Sequence, residues 1–192
     1  MTTKPLHIQH AAGATPLDPN EVMGLIPTHI ATQGELNEVE QRNILRARAW
    51  AIGRAHRDLL SEAFLRNLHR RMFEDVWRWA GQYRTTDKSI GVHPEHIREE
   101  LQKLFANVAH WIQHHTYPWV ELAVRFHHKL VSIHPFVNGN GRHSRLMTDL
   151  LLEAHRQPAF TWGESLARAH YIEALKAADE RRYAPLIAFV QK

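Results

Sequence analysis

The chain has 192 residues, a size at which roughly 70% of the unfolded surface can be buried around one core without disulfides or structural metals. Its net charge is +4, with acidic and basic residues interspersed and no run of five basic residues, which argues against a nucleic-acid-binding protein. It contains no cysteine, so disulfides, thiol catalysis and cysteine zinc sites are excluded, and without a secretory signal or a long apolar segment we expect a cytoplasmic protein.

Helix signals begin near the N-terminus. The stretch "DPNE" predicts a helix start, with Asp18 as the cap and Glu21 completing a capping box. The chain is then expected to turn at Gly34. A longer helix is predicted to begin near Asn37, with Asn37 and Glu40 as an ordinary capping box, and to run through "RNILRARAWAIGR".

A second long helix is predicted from Ser61. Apolar residues recur there at spacings of three and four, which is typical of a buried helix face, and Gly81 supplies the stop. The residues of this face are Leu65, Leu68, Met72, Val76 and Trp79.

Residues 83–93 break the helical period with polar and β-branched residues, so a short hairpin or an extended flap is predicted there. Pro94 then opens another helix. No convincing long strand follows, and the predicted fold is mostly α-helical. The remaining predicted helices cover residues 118–133, 141–156, 164–179 and 182–191.

The stretch "HPFVNGNGRHSR", residues 134–145, interrupts two of these helices with polar residues and glycines. Gly139 and Gly141 flank Asn140 and lead straight into a helix, whose first N–H groups lack partners, so the segment predicts an anion cradle. Arg142 and Arg145 lie three apart on one side of that helix and suit a polyphosphate.

His134 is expected at the C-terminal end of the preceding helix, across the loop from this cradle. A neutral imidazole there could take a proton from a hydroxyl that attacks phosphorus. Phe136 is expected to point into the core and to hold the loop in place.

These residues carry a resemblance. His134, Pro135, Phe136, the segment 139–142 and Arg145 match H-P-F-x-[DE]-G-N-G-R-x-x-R, the signature of the Fic family. The resemblance covers about residues 60–190 and implies a helical bundle with a short β-hairpin flap. It also divides the chain into an extension (1–58) and a Fic domain (59–192) that pack as one unit. The whole chain most resembles the branch called mobile mystery protein B, including "LIPTHIATQGELNE" in the extension.

The resemblance implies transfer of AMP from ATP, with Mg²⁺, to a Ser, Thr or Tyr hydroxyl of a target protein. His134 would be the base. The N–H groups of 139–141 and the Asn140 amide would hold the α-phosphate, and Arg142 and Arg145 would neutralise the β- and γ-phosphates. The flap would align the target by strand-like pairing. Its candidate docking residues are Thr85, Thr86, Ser89, Ile90 and Gly91.

Asn138 departs from the family pattern, which has a carboxylate there to ligate Mg²⁺. A neutral carbonyl oxygen is a weaker Mg²⁺ ligand, so weak binding of the metal before the nucleotide is expected. Activity is expected to survive with a different metal preference or rate.

Regulation is the second departure. Many Fic proteins carry [ST]-x-x-x-E-[GN], whose glutamate pairs with the last arginine of the signature, and no stretch of this chain matches that pattern. The nearest is "TQGELNEVE", which makes Glu35 the first inhibitory candidate, followed by Glu38 and Glu40.

Three other readings stay open at this point. The same site could transfer a terminal phosphate, or use another nucleotide or a phosphocholine donor. The chain could instead be a non-enzymatic binding module, for example of a toxin–antitoxin pair, with an antitoxin or regulator as its partner. His110 with His114, and His127 with His128, have spacings that zinc could use, although no third ligand is evident.

Overall fold

The structure is a computed structural model that describes residues 22–27, 32–162 and 168–191, and these residues are mostly helical. The predicted helix start at Asp18 lies outside the described residues. The α-helices in the described residues are α1 (Gln33–Asp58), α2 (Glu62–Phe73), α3 (Ile97–Gln113), α4 (Trp119–Ile133), α5 (Asn140–Ala154), α6 (Arg168–Asp179) and α7 (Ala184–Val190).

The start of α1 differs from the prediction. Thr32 is the cap: its side chain accepts the N–H of Glu35 at 3.2 Å, and the Glu35 carboxylate accepts the N–H of Thr32 at 3.0 Å. The predicted turn at Gly34 and the predicted Asn37–Glu40 capping box are therefore wrong. Glu35 follows Thr32 by three residues and Glu40 follows Asn37 by three residues. Both pairs match the capping-box pattern, so the local sequence alone did not decide between them.

The start of α2 confirms the prediction. The Ser61 hydroxyl accepts the N–H of Phe64 at 3.1 Å, a cap that typically stabilises a helix by about 1 kcal/mol. The helix ends at Phe73, earlier than the apolar spacing suggested. Val76 is nevertheless fully buried in the turns that follow, and Trp79 is half-buried.

Helix α1 packs against α2 and α5. Trp50 stacks on Phe64 with ring centroids 5.5 Å apart, and the Arg48 guanidinium lies 3.3 Å from the Glu153 carboxylate. The residues before position 59 thus contact the later helices closely. The division of the chain at residue 58 stays a prediction.

The core has two parts. Helices α1 to α5 enclose the larger one, and a smaller cluster joins α6 and α7 to Val124 of α4. Helix α4 is central because it packs against α3, α5 and α7. The short connection from α4 to α5 makes them antiparallel neighbours, and residues 134–139 form the loop at their shared end.

The flap, which we define as residues 85–92, is a loop with bends at Thr86 and at residues 89–91, and it forms neither the predicted hairpin nor a regular extended strand. Its two ends lie close together, because the Arg84 side chain donates to the carbonyls of both Thr86 and Val92. An isolated antiparallel bridge between Tyr83 and Phe136 fixes its entrance beside the α4–α5 loop. Pro94–His96 then form a short 3₁₀ turn that leads into α3, as the proline predicted. None of the described helices is both long and apolar enough to cross a bilayer.

Candidate active site

His134 ends α4 in a left-handed conformation, with φ 53° and ψ 59°. Pro135 follows, and a residue before proline is disfavoured in the right-handed helical region, so the helix cannot continue through this position. The His134 N–H still donates to the Leu130 carbonyl at 3.3 Å. The side chain is buried, with 5% of its surface exposed.

The imidazole of His134 is neutral near pH 7. Burial lowers its pKa to about 4, and the positive charges of Arg84 and Lys88 act in the same direction. A hydrogen bond with the Val131 backbone opposes them. A neutral ring is the form that can accept a proton, as predicted for a general base.

The loop after His134 is closed by Asn140. Its amide oxygen accepts the Phe136 N–H at 2.9 Å, and its amide nitrogen donates to the Phe136 carbonyl at 2.8 Å. Phe136 is fully buried, which confirms its predicted anchoring role. The Asn140 amide therefore shapes the loop, and its predicted contact with an α-phosphate stays a prediction.

His69 is a part of the site that the sequence did not reveal. Its ring stacks on Phe136 with centroids 3.7 Å apart. Its Nδ1 accepts the Gly81 N–H at 2.9 Å, which leaves Nε2 to donate to the Asn138 carbonyl at 3.0 Å. Burial holds the pKa of His69 well below its usual value, so this neutral histidine braces the loop.

Gly139 is required by both conformation and space. Its φ is +77°, and a Cβ atom there would lie 2.5 Å from the Phe73 ring. Helix α5 begins immediately afterwards, and His143 donates the first bond of the turn, to the Gly139 carbonyl at 2.9 Å. The N–H groups of residues 140–142 thus have no acceptor within the helix, as an anion cradle requires.

The two arginines of the signature engage different neighbours. Arg142 lies over the Phe73 ring at 4.9 Å, and its Nη1 is 2.5 Å from the Glu40 carboxylate. Arg145 donates to the Gly141 carbonyl at 3.2 Å, and its guanidinium lies 5.5 Å from the centroid of the Tyr171 ring. They start on one side of α5, as predicted, but turn towards opposite neighbours in this conformation.

Glu40 is the glutamate that reaches the site. Its carboxylate is 5% exposed and accepts from both Arg142 and the Trp77 indole N–H, the latter at 2.8 Å. Glu35 caps α1 and is exposed, as is Glu38. The structure therefore brings the third candidate, rather than the first, against a signature arginine, and that arginine is Arg142 rather than the last one, Arg145.

Asn138 does not offer a built metal site. Its side-chain oxygen accepts the Gly139 N–H at 2.6 Å, so it is directed back at its own loop. Among the described residues, no group of three or more histidine and carboxylate side chains could hold an ion. The residues present do not form a site for a resident Mg²⁺, and the weak metal binding expected from the neutral side chain of Asn138 stays a prediction.

Arg84 joins the flap to the end of α4, a role that its sequence context did not indicate. It is 2% exposed, and its Nε donates to the His134 carbonyl at 2.7 Å. The predicted docking residues of the flap lie above this guanidinium. The side chains of Thr85, Thr86, Ser89 and Ile90 are exposed, and so is Gly91.

The paired histidines considered for zinc are used differently. The rings of His110 and His114 contact each other at the surface in a tilted arrangement, with centroids 4.2 Å apart. His127 bonds the Tyr171 hydroxyl at 2.7 Å, whereas His128 bonds Asp179 at 2.8 Å. These two adjacent rings therefore bind different residues of α6.

Comparison with known proteins gives a consistent family. The model of the Fic/DOC family matches residues 59–152. The protein adenylyltransferase Fic of Drosophila grimshawi is 35% identical over 128 residues, covering 64% of this chain and 26% of that protein. Its counterpart in Drosophila mojavensis is 28% identical, covering 96% of this chain and 38% of that protein. The chain thus spans about a quarter to two fifths of the length of these relatives.

The solved structure of Caenorhabditis elegans Fic-1, residues 134–508, is 27% identical with a TM-score of 0.59. The match covers 75% of this chain and 44% of that one. The signature at residues 134–145 lies within the part of the chain that the family model matches. The narrower assignment to the mobile mystery protein B branch stays a prediction.

Proposed function

Residues 59–152 of this chain belong to the Fic/DOC family, and from that premise we propose that the protein transfers AMP from ATP to a hydroxyl of a target protein. The observation that carries the proposal is the α4–α5 loop. It holds a buried, neutral imidazole at one end and the unpaired amides of a helix start at the other. The adenylyltransferase names of the relatives support the same activity.

In the proposed reaction, Nε2 or Nδ1 of His134 accepts the proton of the target hydroxyl as its oxygen attacks the α-phosphorus. The bond from that phosphorus to the bridging oxygen of the β-phosphate breaks, and pyrophosphate leaves. The amides of residues 140–142 stabilise charge on the α-phosphate. The approaching phosphates raise the pKa of the imidazole by their negative charge, which favours the proton transfer.

Arg142 and Arg145 neutralise the leaving pyrophosphate in this scheme. Arg142 reaches the phosphates only after it releases Glu40, to which its Nη1 is bound at 2.5 Å. We therefore propose that Glu40 competes with the nucleotide for Arg142 and restrains the activity. A Mg²⁺ ion bound to the triphosphate would offset part of its negative charge, and the side-chain atom at the acidic position of the signature that could contribute to holding it is the amide oxygen of Asn138.

The flap is proposed to receive an extended segment of the target protein. Its exposed residues lie beside His134, which favours a target segment that binds along the flap backbone and brings its hydroxyl to the imidazole. A cytoplasmic location and an antitoxin or regulatory partner stay predictions from the sequence.

The test uses the purified protein with ATP labelled at either the α- or the γ-phosphate. Protein-bound α-label with no γ-label, lost in His134→Ala, is the expected result. Transfer of the γ-label would replace this proposal with phosphotransfer. A biological effect that persists in His134→Ala, without either label, would favour a module that acts by contact.

A further inference from the structure

We propose that Arg84 is a positioning residue that holds the imidazole of His134 and the target-docking flap in one fixed relation. We call the bonds from Arg84 to Thr86, Val92, Ile133 and His134 the Arg84 clamp. Its effect on catalysis rests on the proposed adenylyl transfer, whereas the bonds themselves exist in the protein without any ligand.

The guanidinium of Arg84 ties three backbone segments together. Its Nε donates to the His134 carbonyl at 2.7 Å, and its Nη1 donates to the Thr86 carbonyl at 2.9 Å. Its Nη2 donates to Val92 and is 3.5 Å from the Ile133 carbonyl. One side chain thus binds the first and the last part of the flap and the end of α4.

The backbone of the same segments continues the connection. The N–H of Arg84 donates to the Pro135 carbonyl at 3.0 Å, and the N–H of Val92 donates to the Ile133 carbonyl at 3.3 Å. At Gly91, where φ is +108°, a Cβ atom would lie 2.6 Å from the Arg84 guanidinium and 2.8 Å from the His134 Cβ. The flap therefore passes against His134 at a distance that only glycine allows.

The acceptors of Arg84 are carbonyl oxygens, and the nearest opposite charge, Asp87, acts on it without an ion pair in the described residues. A buried cation without a carboxylate partner needs every donor satisfied. The carbonyls at the C-terminal end of α4 carry partial negative charge, which offsets part of the cost. The planar guanidinium of arginine has five N–H donors and can bind these four carbonyls at once, whereas the ammonium of lysine has only three donors on one atom.

The His134 backbone explains why such a clamp is useful. A left-handed conformation at a residue other than glycine persists only when its surroundings hold it. The Arg84 bond to the His134 carbonyl fixes the peptide that sets this conformation. The Arg84 charge, together with that of Lys88 on the flap, also keeps the imidazole in its neutral form.

The test compares Arg84→Lys and Arg84→Met with the matched pair Arg66→Lys and Arg66→Met. Arg66 also donates to a backbone carbonyl, that of Gly81 at 3.0 Å, and lies over the Tyr83 ring, but its bonds among the described residues include none to residues 85–92. Circular dichroism checks that each variant folds. If Arg84→Met does not fold, the proposal is judged on Arg84→Lys, which keeps the positive charge. Two readouts need no nucleotide: amide exchange in residues 85–92, and NMR titration of His134.

In both Arg84 variants we expect amide hydrogen exchange in the flap to accelerate at least about tenfold. The guanidinium bonds to the flap carbonyls are lost, and each such bond to a charged group typically contributes enough against local opening to account for a change of this size. The pKa of His134 should rise in Arg84→Met, which lacks the charge, and stay nearer the wild-type value in Arg84→Lys. Labelling with α-labelled ATP should slow in both, with the half-saturating ATP concentration within about twofold of wild type.

Unchanged flap exchange and unchanged His134 titration in the Arg84 variants would overturn the clamp, and so would equal effects in the Arg66 variants. A protein that fails to transfer AMP but shows the expected exchange and titration would refute the proposed function and leave the clamp standing.

Discussion

His134 combines a left-handed backbone with a buried imidazole. The conformation costs of the order of 1 kcal/mol at a residue with a Cβ, and burial disfavours the charged ring. Such costs concentrate at functional sites, where the surrounding contacts maintain them. In this chain those contacts come from Arg84 and from the loop closed by Asn140.

Asn138→Asp is expected to strengthen metal binding at the site. A carboxylate can still accept the Gly139 N–H and adds a charged oxygen, which Mg²⁺ prefers over a neutral one. The Mg²⁺ concentration for half-maximal AMP transfer should fall about tenfold. A Mg²⁺ titration of the labelling rate measures it, with Asn138→Ser as the neutral control. Identical metal dependence and rate in the two proteins would contradict the role assigned to this position.

The sequence predicted a site residue only where that residue belongs to a motif of neighbouring positions. The segment 134–145 contains the proposed base, the glycines and the arginines as neighbours in the chain, so a local pattern was enough to predict them. Arg84 lies in a polar stretch, where an arginine is usually exposed, and its burial depends on carbonyls about fifty residues away. His69 is equally hidden, since its partners Gly81 and Asn138 are brought together only by folding.

At the scale of elements, α1 matters because it carries Glu40 to α5. The predicted capping box gave Glu40 a local role, and only the packing of α1 against α5 reveals a partner 102 residues away. The start of α2 at Ser61 was predicted correctly, and Pro94, where a helix was predicted to open, begins the 3₁₀ turn that leads into α3 at Ile97, because both residues are local signals. The end of α2 was not, because buried apolar residues continue at similar spacing through the turns after Phe73.

Glu40→Gln should raise AMP transfer several-fold. The amide keeps an oxygen for the Trp77 N–H but removes the charge that holds Arg142, so the nucleotide no longer competes with an ion pair. The rate of labelling with α-labelled ATP measures the effect. Glu38→Gln, an exposed position on the same helix, is the control. Equal rates for Glu40→Gln and wild type would remove the proposed restraint.

For the whole molecule, several buried histidines predict sensitivity to acid. Burial lowers the pKa of His127 to about 3 and of His134 and His143 to about 4, and holds that of His69 well below its usual value. The unfolded chain binds these protons near pH 6.5 and the folded chain does not. The contribution of these neutral histidines to the free energy of unfolding is therefore fully present above about pH 6.5 and is lost as the pH falls towards 4.

The expected loss in the free energy of unfolding is roughly 2 kcal/mol for each of His127, His134 and His143 between pH 6.5 and 5, and His69 acts in the same direction. Asp149 opposes it, because its pKa is raised to about 6, so its protonation stabilises the fold as the pH falls. Urea unfolding followed by circular dichroism at pH 7 and pH 5 measures the balance. Replacing the exposed His114 should leave the difference unchanged. Equal free energies of unfolding at the two pH values would contradict the prediction.

The helical class of the whole chain followed from the spacing of apolar residues, and the helices α3 to α7 lie close to their predicted positions. The arrangement around α4 did not follow, because each helix shows only which face is buried and not which neighbour covers it.

Because Arg84 binds main-chain oxygens, the flap is held by atoms that every amino acid supplies. Substituting the outward-facing Thr85, Ser89 and Ile90 leaves all its acceptors in place, whereas any side chain at Gly91 would collide with the guanidinium. Under the proposed function, the residues that would contact the target protein are therefore separate from those that hold His134 in place, and randomising these three flap positions should change the target while leaving the geometry at His134 intact.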